Sequence, residues 1–214
     1  MHAAAQAVDR PSPPQSARRR IGVLALQGDF REHLSALRSL GAEGVAIRRE
    51  AELDGIDGLI IPGGESTTMG KIAAELGLLA PLRGAIDAGL PTYGTCAGMI
   101  MLADQIRDAV PGQQNIGGLD VIVRRNAFGS QLESFQEDLI VDGIEGSVPA
   151  VFIRAPVVEE FGADVTVLAR LSDDRVVAVR QGNIIAMAFH PEISGDLRLH
   201  EAFLEVVNSI SVEA

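Results

Sequence analysis

Two textures of apolar and polar residues follow one another along this chain. From residue 21 to about 110, short apolar runs alternate with stretches in which apolar residues recur at every third or fourth position. The run Ile21-Gly22-Val23-Leu24-Ala25-Leu26-Gln27 has the character of a strand buried on both faces. A Gly28-Asp29 turn follows, after which Phe30, Leu34, Leu37 and Leu40 fall on one face of a helix that Gly41 ends. Further strands are predicted over 45–48 and 58–61. The second leads into Pro62-Gly63-Gly64-Glu65-Ser66-Thr67-Thr68, a small-residue turn before a helix that ends near Gly77. Strand and helix in alternation predict a doubly wound parallel sheet, whose ligands bind outside the carboxyl ends of the strands. The glycine-rich turns at 62–68 and 94–98 are expected at that edge.

Beyond Gly117 the segments become short and β-rich: 119–124, 138–141, 150–153, 165–171, 175–180 and 184–189. Turns at 172–174 and 181–183 make the last three an antiparallel meander. A closing helix over about 196–209 would bury Leu199, Phe203, Leu204, Val206 and Val207. With no internal repeat and no linker, residues 21–214 read as one domain and the β-rich part as an extension of one sheet. Residues 1–20, with Pro11, Pro13, Pro14 and the cluster Arg18-Arg19-Arg20, lack the apolar stretch of a secretory signal. They are expected to be a flexible, solvated extension.

Composition narrows the function classes. The chain has 214 residues, 47% of them hydrophobic, yet no apolar run of membrane-spanning length. A net charge of −11 argues against a nucleic-acid partner, because phosphate binding needs a dense basic surface. One cysteine permits no internal disulfide and fits a reducing cytoplasm.

That cysteine, Cys96, lies in Gly94-Thr95-Cys96-Ala97-Gly98, a G-x-C-x-G frame. A strand ending near Tyr93, a sharp turn and a helix from Ala97 outline a nucleophile elbow, with Gly94 and Gly98 allowing angles or approaches that a Cβ would block. Free N–H groups at a helix start favour a thiolate, the nucleophilic form. By itself a lone cysteine is ordinarily a small buried hydrophobe. Phe189-His190-Pro191-Glu192 changes that weighing. In an extended segment residues two apart project to one side, so Glu192 could orient His190 toward the thiol. His2 lies in the N-terminal extension, and His33 and His200 fall within amphipathic helices; none is assigned a role.

Together Cys96, His190 and Glu192 resemble the triad of class I glutamine amidotransferases, and the resemblance covers essentially 21–214. Leu26-Gln27-Gly28-Asp29, Pro62 to Thr68, the Cys96 frame, Asn126-Ala127-Phe128-Gly129, Phe152-Ile153-Arg154-Ala155-Pro156 and Phe189 to Glu192 are similar to the glutaminase subunits of pyridoxal 5′-phosphate synthase, the PdxT/Sno family. The resemblance implies a single-domain, three-layer α/β/α, flavodoxin-like fold with a mostly parallel central sheet and an antiparallel β extension. It implies hydrolysis of L-glutamine to L-glutamate and ammonia, which passes to a pyridoxal 5′-phosphate synthase (lyase) subunit in a large cytoplasmic hetero-oligomer. No cofactor or metal is implied.

In the roles the resemblance implies, Cys96 attacks the side-chain amide, His190 moves the protons and Glu192 fixes the imidazole. The N–H groups of Gly64 and Ala97 would receive the oxyanion. Gly64, Glu65, Ser66, Arg125, Ile153 and Arg154 would surround the substrate, with a guanidinium of Arg125 or Arg154 on its α-carboxylate. Glu65 is equally suited to capping the following helix. The family commonly has a basic residue where this chain has Ser130. Competing readings are a glutaminase subunit of the histidine-biosynthesis type, a triad hydrolase acting alone, and a non-catalytic amidotransferase-like binding module. The first typically has a Gly-Val-Gly turn where this chain has Pro62-Gly63-Gly64-Glu65.

Overall fold

A computed structural model of the chain describes residues 18–128 and 134–210. The expectations for residues 1–17, Gly129 and Ser130 lie outside the described residues. The first half runs β1 (Arg20–Leu24), α1 (Phe30–Ser39), β2 (Glu43–Ile47), β3 (Gly58–Ile61), α2 (Ser66–Glu75), α3 (Leu79–Asp87), β4 (Thr92–Thr95) and α4 (Ala97–Leu102). The second half adds strands β5 (Ala103–Arg107), β6 (Leu119–Arg124), β7 (Ser134–Ile140), β8 (Ser147–Ile153), β9 (Val157–Phe161), β10 (Thr166–Arg170), β11 (Val176–Gln181) and β12 (Ile184–Met187). Two helices, α5 (Pro191–Ser194) and α6 (Arg198–Ile210), follow.

Ten strands form one sheet in the order β2-β1-β3-β4-β12-β11-β9-β6-β5, with β10 pairing to β11. β2, β1, β3, β4 and β12 are mutually parallel, so their carboxyl ends share one edge. Every residue of β3, β4 and β12 is buried, as expected of strands covered on both faces. Consecutive residues of β4 identify the two covering layers. Tyr93 stacks on Phe203 of α6 with ring centroids 5.3 Å apart, whereas a Cβ on Gly94 would press on Leu102 and Gly98 of α4. The result is three layers, helix, sheet and helix.

The β-rich half departs from the expectation of one extended sheet. The predicted meander is present, β10 to β11 to β12, but β7 and β8 form a separate antiparallel pair. Phe135 and Phe152 face each other in its register and stack at 4.6 Å, and Phe152 tilts onto Phe189 at 5.6 Å. The pair thus covers the segment that precedes His190, whose N–H donates to the Val151 carbonyl at 2.9 Å.

β5, β9 and α3 were not anticipated. In β5 only Ala103 is fully buried, and β9 ends in the exposed residues Glu159, Glu160 and Phe161, so neither shows a sustained apolar alternation. The fold also begins earlier than residue 21. Arg20 opens β1, and the Arg19 guanidinium donates to Asn208 on α6 at 2.8 Å, which ties both arginines to the body of the protein.

Candidate active site

The turn between β4 and α4 holds Cys96 at φ 48°, ψ −104°, a conformation that a residue with a Cβ adopts only under constraint. Two contacts impose it. The Cys96 N–H donates to the Met187 carbonyl of β12 at 2.8 Å. At Gly98, a Cβ would overlap the carbonyl oxygen of Ile61, so the first turn of α4 sits directly on the end of β3. The thiol is nearly buried, and its Sγ lies 3.8 Å from the Ile153 carbonyl oxygen.

His190 arrives from the end of β12 and caps α5, with Pro191 at the first helical position. The extended geometry expected for this segment is replaced by that helical turn, which carries Glu192 back beneath the imidazole. The outcome is the expected contact: His190 Nδ1 lies 2.7 Å from Glu192 Oε1. Asp29 Oδ2 stands 3.4 Å from the same nitrogen, and Cys96 acts on the ring electrostatically. Burial by itself lowers the His190 pKa, but Asp29, Cys96 and Glu192 more than offset it and bring it up to about 12. Burial pushes the Glu192 carboxyl upward, against the pull of His190.

The turn after β3 closes the other side. Gln27 Oε1 accepts from the Glu65 N–H at 2.7 Å, and the Gly63 carbonyl accepts from the Asp29 N–H at 3.1 Å. Because a peptide is planar, that second bond also sets the direction of the Gly64 N–H. Gly64 itself has φ 153°, and a Cβ there would overlap Gln27 Oε1.

These elements enclose a cavity of about 510 Å³, a size suited to a small metabolite. Gly64, Glu65, Ser66, Cys96, Arg125, Ile153, Arg154 and His190 all line it; Ala97 and Glu192 are buried behind its wall. Glu65 has both of its anticipated settings. It caps α2 by accepting from the N–H groups of Thr67 at 3.1 Å and Thr68 at 2.7 Å. Partial burial opposes its ionisation, but the bonds from Thr68 and Thr67 prevail and hold its pKa at about 2. Arg125 is already engaged, donating to Gln113 Oε1 at 2.6 Å and to Glu65 Oε1 at 3.2 Å. Arg154, at φ 46°, is exposed on the cavity wall.

The model of the SNO glutamine amidotransferase family matches residues 23–209. The chain belongs to this family. It is 60% identical over 191 residues to the pyridoxal 5′-phosphate synthase subunit PdxT of Parafrankia sp. (strain EAN1pec), covering 89% of this chain and 94% of that one. With the PdxT subunit of Leifsonia xyli subsp. xyli (strain CTCB07) the identity is 61%, over 88% and 96% of the two chains. A crystal structure of a glutamine amidotransferase superposes with a TM-score of 0.83 at 52% identity, over 88% of this chain and 98% of that one.

Around this cavity, several residues carry no local signal in the sequence. Asp29 and Gln27 belong to a motif quoted above but were given no role; their contacts span 161 and 38 positions. His33 and His200, read as ordinary helix residues, meet with His33 Nδ1 2.9 Å from His200 Nε2, and His33 Nε2 lies 3.2 Å from Thr95 Oγ1. Asp29, His190 and Glu192 place three ligand-type atoms within 4.8 Å of one another. The His190 Nδ1 among them is already bonded to Glu192, and a metal there would displace the carboxylate that orients the ring.

Proposed function

We propose that Cys96, His190 and Glu192 are the nucleophile, acid–base and orienting carboxylate of a glutaminase that supplies ammonia to pyridoxal 5′-phosphate synthase. The observation that carries this reading is a strained, nearly buried thiol beside an imidazole whose Nδ1 is held by a carboxylate at 2.7 Å. A protonated His190 next to Cys96 favours an ion pair of thiolate and imidazolium. The thiolate attacks the side-chain amide carbon of L-glutamine, and the oxygen takes up negative charge against the N–H groups of Gly64 and Ala97. His190 gives its proton to the departing ammonia, leaving a thioester on Cys96. It then takes a proton from water, whose oxygen attacks the thioester and releases L-glutamate.

Substrate selection falls to the cavity wall. Arg154 is the better placed guanidinium for the α-carboxylate, since Arg125 is committed to Glu65 and Gln113. Arg125 then acts by holding Glu65, and with Ser66 and Ile153 it shapes the pocket. The ammonia passes to a separate synthase subunit within a large hetero-oligomer, and the work is done in the cytoplasm by the domain read above as residues 21–214. A lone thiol supports that compartment, and among the described residues no helix is long and apolar enough to cross a membrane.

The deciding experiment measures glutamate release from glutamine with the synthase subunit present. Hydrolysis coupled one-to-one to pyridoxal phosphate formation is the expected result. Ammonium salt should replace the chain altogether; failure of ammonium to do so would remove the proposed coupling.

A further inference from the structure

Glu192 stands at the end of a buried polar chain that the reaction above leaves unused. Its Oε1 is bonded to His190, while its Oε2 is buried and accepts no hydrogen bond among the described residues. Behind it, on α1, His33 Nε2 lies 3.5 Å from that oxygen, and neither side chain is exposed at all. A small rotation of either group closes this to a hydrogen bond, in the way that catalytic contacts tighten when substrate binds.

The tautomer of His33 decides what the contact does. Burial pushes the pKa of His33 far down and that of His200 to about 4, so both rings are neutral. Their bond, His33 Nδ1 to His200 Nε2 at 2.9 Å, allows two arrangements. If His33 donates through Nδ1, its bare Nε2 lone pair faces the Glu192 carboxylate. The N–H of His200 Nδ1 would then be buried without a partner, and an orphaned donor costs its full desolvation. If His200 donates instead, the orphan at Nδ1 is only a lone pair, and His33 presents Nε2–H toward Glu192 Oε2 and Thr95 Oγ1. Both penalties disappear in the second arrangement.

We infer that His33 is a positioning residue of this enzyme: set by His200 as the Nε2–H tautomer, it donates to Glu192 Oε2 and keeps that carboxylate ionised and aimed at His190. The inference rests on the glutaminase reading of Cys96, His190 and Glu192. His190 and Asp29 act on Glu192 from the pocket side, Tyr93 and His33 from behind, and His200 and Thr95 complete the surroundings of His33.

The test compares His33→Phe and His33→Gln, each alone and combined with Glu192→Gln, in the complex with the synthase subunit. His33→Phe should lower kcat about tenfold, the scale of one bond to a charged group, at unchanged KM. His33→Gln, which keeps an amide donor, should recover most of that loss, and neither change should matter once Glu192→Gln is present. A second readout is the pH dependence of Cys96 alkylation by iodoacetamide, whose acid limb should move upward by about one pH unit in His33→Phe. Equal losses in the Phe and Gln variants, or an undiminished tenfold cost on top of Glu192→Gln, would overturn the inference. Should His33→Phe fail to fold, His200→Leu removes the group that fixes the tautomer; an unchanged kcat there overturns it equally. If no form hydrolyses glutamine, the glutaminase reading fails, while the alkylation profile still decides whether His33 acts on the Cys96–His190 pair.

Discussion

At Cys96 the proposed nucleophile is held in a backbone conformation that costs about 1–3 kcal/mol, and the surrounding contacts hold it there. Replacing Cys96 by Ala removes the sulfur and keeps the strain; replacing it by Gly removes both. Both variants should lose all measurable glutamine hydrolysis, and Cys96→Gly should unfold at a higher urea concentration than Cys96→Ala. A reversed order of midpoints would mean that the turn is not strained. His190 gives a second expectation at this scale. Its raised pKa should keep it doubly protonated at pH 8, visible in its ring nitrogen chemical shifts, and Asp29→Asn should lower the pKa. Cys96 was legible in its frame of glycines, and the contact of His190 with Glu192 was legible because the two lie two residues apart, although a helical turn makes it in place of the extended segment expected. Asp29 and His33 were not, because their partners come from the far end of the chain.

The elements bring these residues together through close approaches that tolerate little change. α4 rests on β3 at Gly98 against the Ile61 carbonyl, so Gly98→Ala must drive the helix off the sheet and carry Cys96 with it. Glutaminase activity should be lost even where circular dichroism still reports a folded protein. The turn after β3 is poised differently. The Asp29 N–H holds the Gly63 carbonyl by one bond at 3.1 Å, and breaking that bond would free the Gly63–Gly64 peptide to redirect the N–H proposed to receive the oxyanion. A partner that binds only the turned state shifts this equilibrium by its differential affinity, and about 3 kcal/mol gives a hundredfold change in rate. Glutamine hydrolysis should therefore rise and saturate as synthase subunit is added; a high rate that stays flat across the titration would exclude activation by docking. Of the strands that frame these turns, β1 and β3 were legible because burial on both faces makes them continuous apolar runs, whereas β4, Thr92–Thr95, was legible only from the glycine frame around Cys96. β5 exposes polar residues at most of its positions, and β9 runs from two buried valines to the exposed Glu159, Glu160 and Phe161, so neither alternates and both were hidden.

On the scale of the whole molecule, two neutral histidines buried between α1, α6 and the sheet couple folding to pH. The alternation of strand and helix in the parallel half could be read from periodicity, while its three-layer packing was what the family resemblance implied. The separation of β7 and β8 into their own sheet could not, since it depends on which aromatic ring finds which partner across the molecule. The His33–His200 contact is of the same kind, and its cost appears only in acid. For His200 the pKa falls from 6.5 to about 4 on folding, because burial disfavours its charged form. Above pH 6.5 the ring is neutral in both folded and unfolded chains, and the native state bears no penalty. As pH falls from 6.5 toward 4 the unfolded chain takes up a proton that the folded one resists, so stability declines across that window by about 3 kcal/mol from this residue. His33, whose pKa is lowered in the same direction by burial and by His200, steepens the decline. His190 works oppositely: its raised pKa makes its contribution complete below pH 6.5 and lost progressively at alkaline pH. Urea unfolding at pH 7.0 and 4.5 should show a marked fall in midpoint for the wild-type chain. In His200→Gln, which keeps a donor to His33 but cannot be protonated, the fall should be smaller. An equal drop in the two proteins would show that other groups, not the histidine pair behind Glu192, make this fold acid-labile.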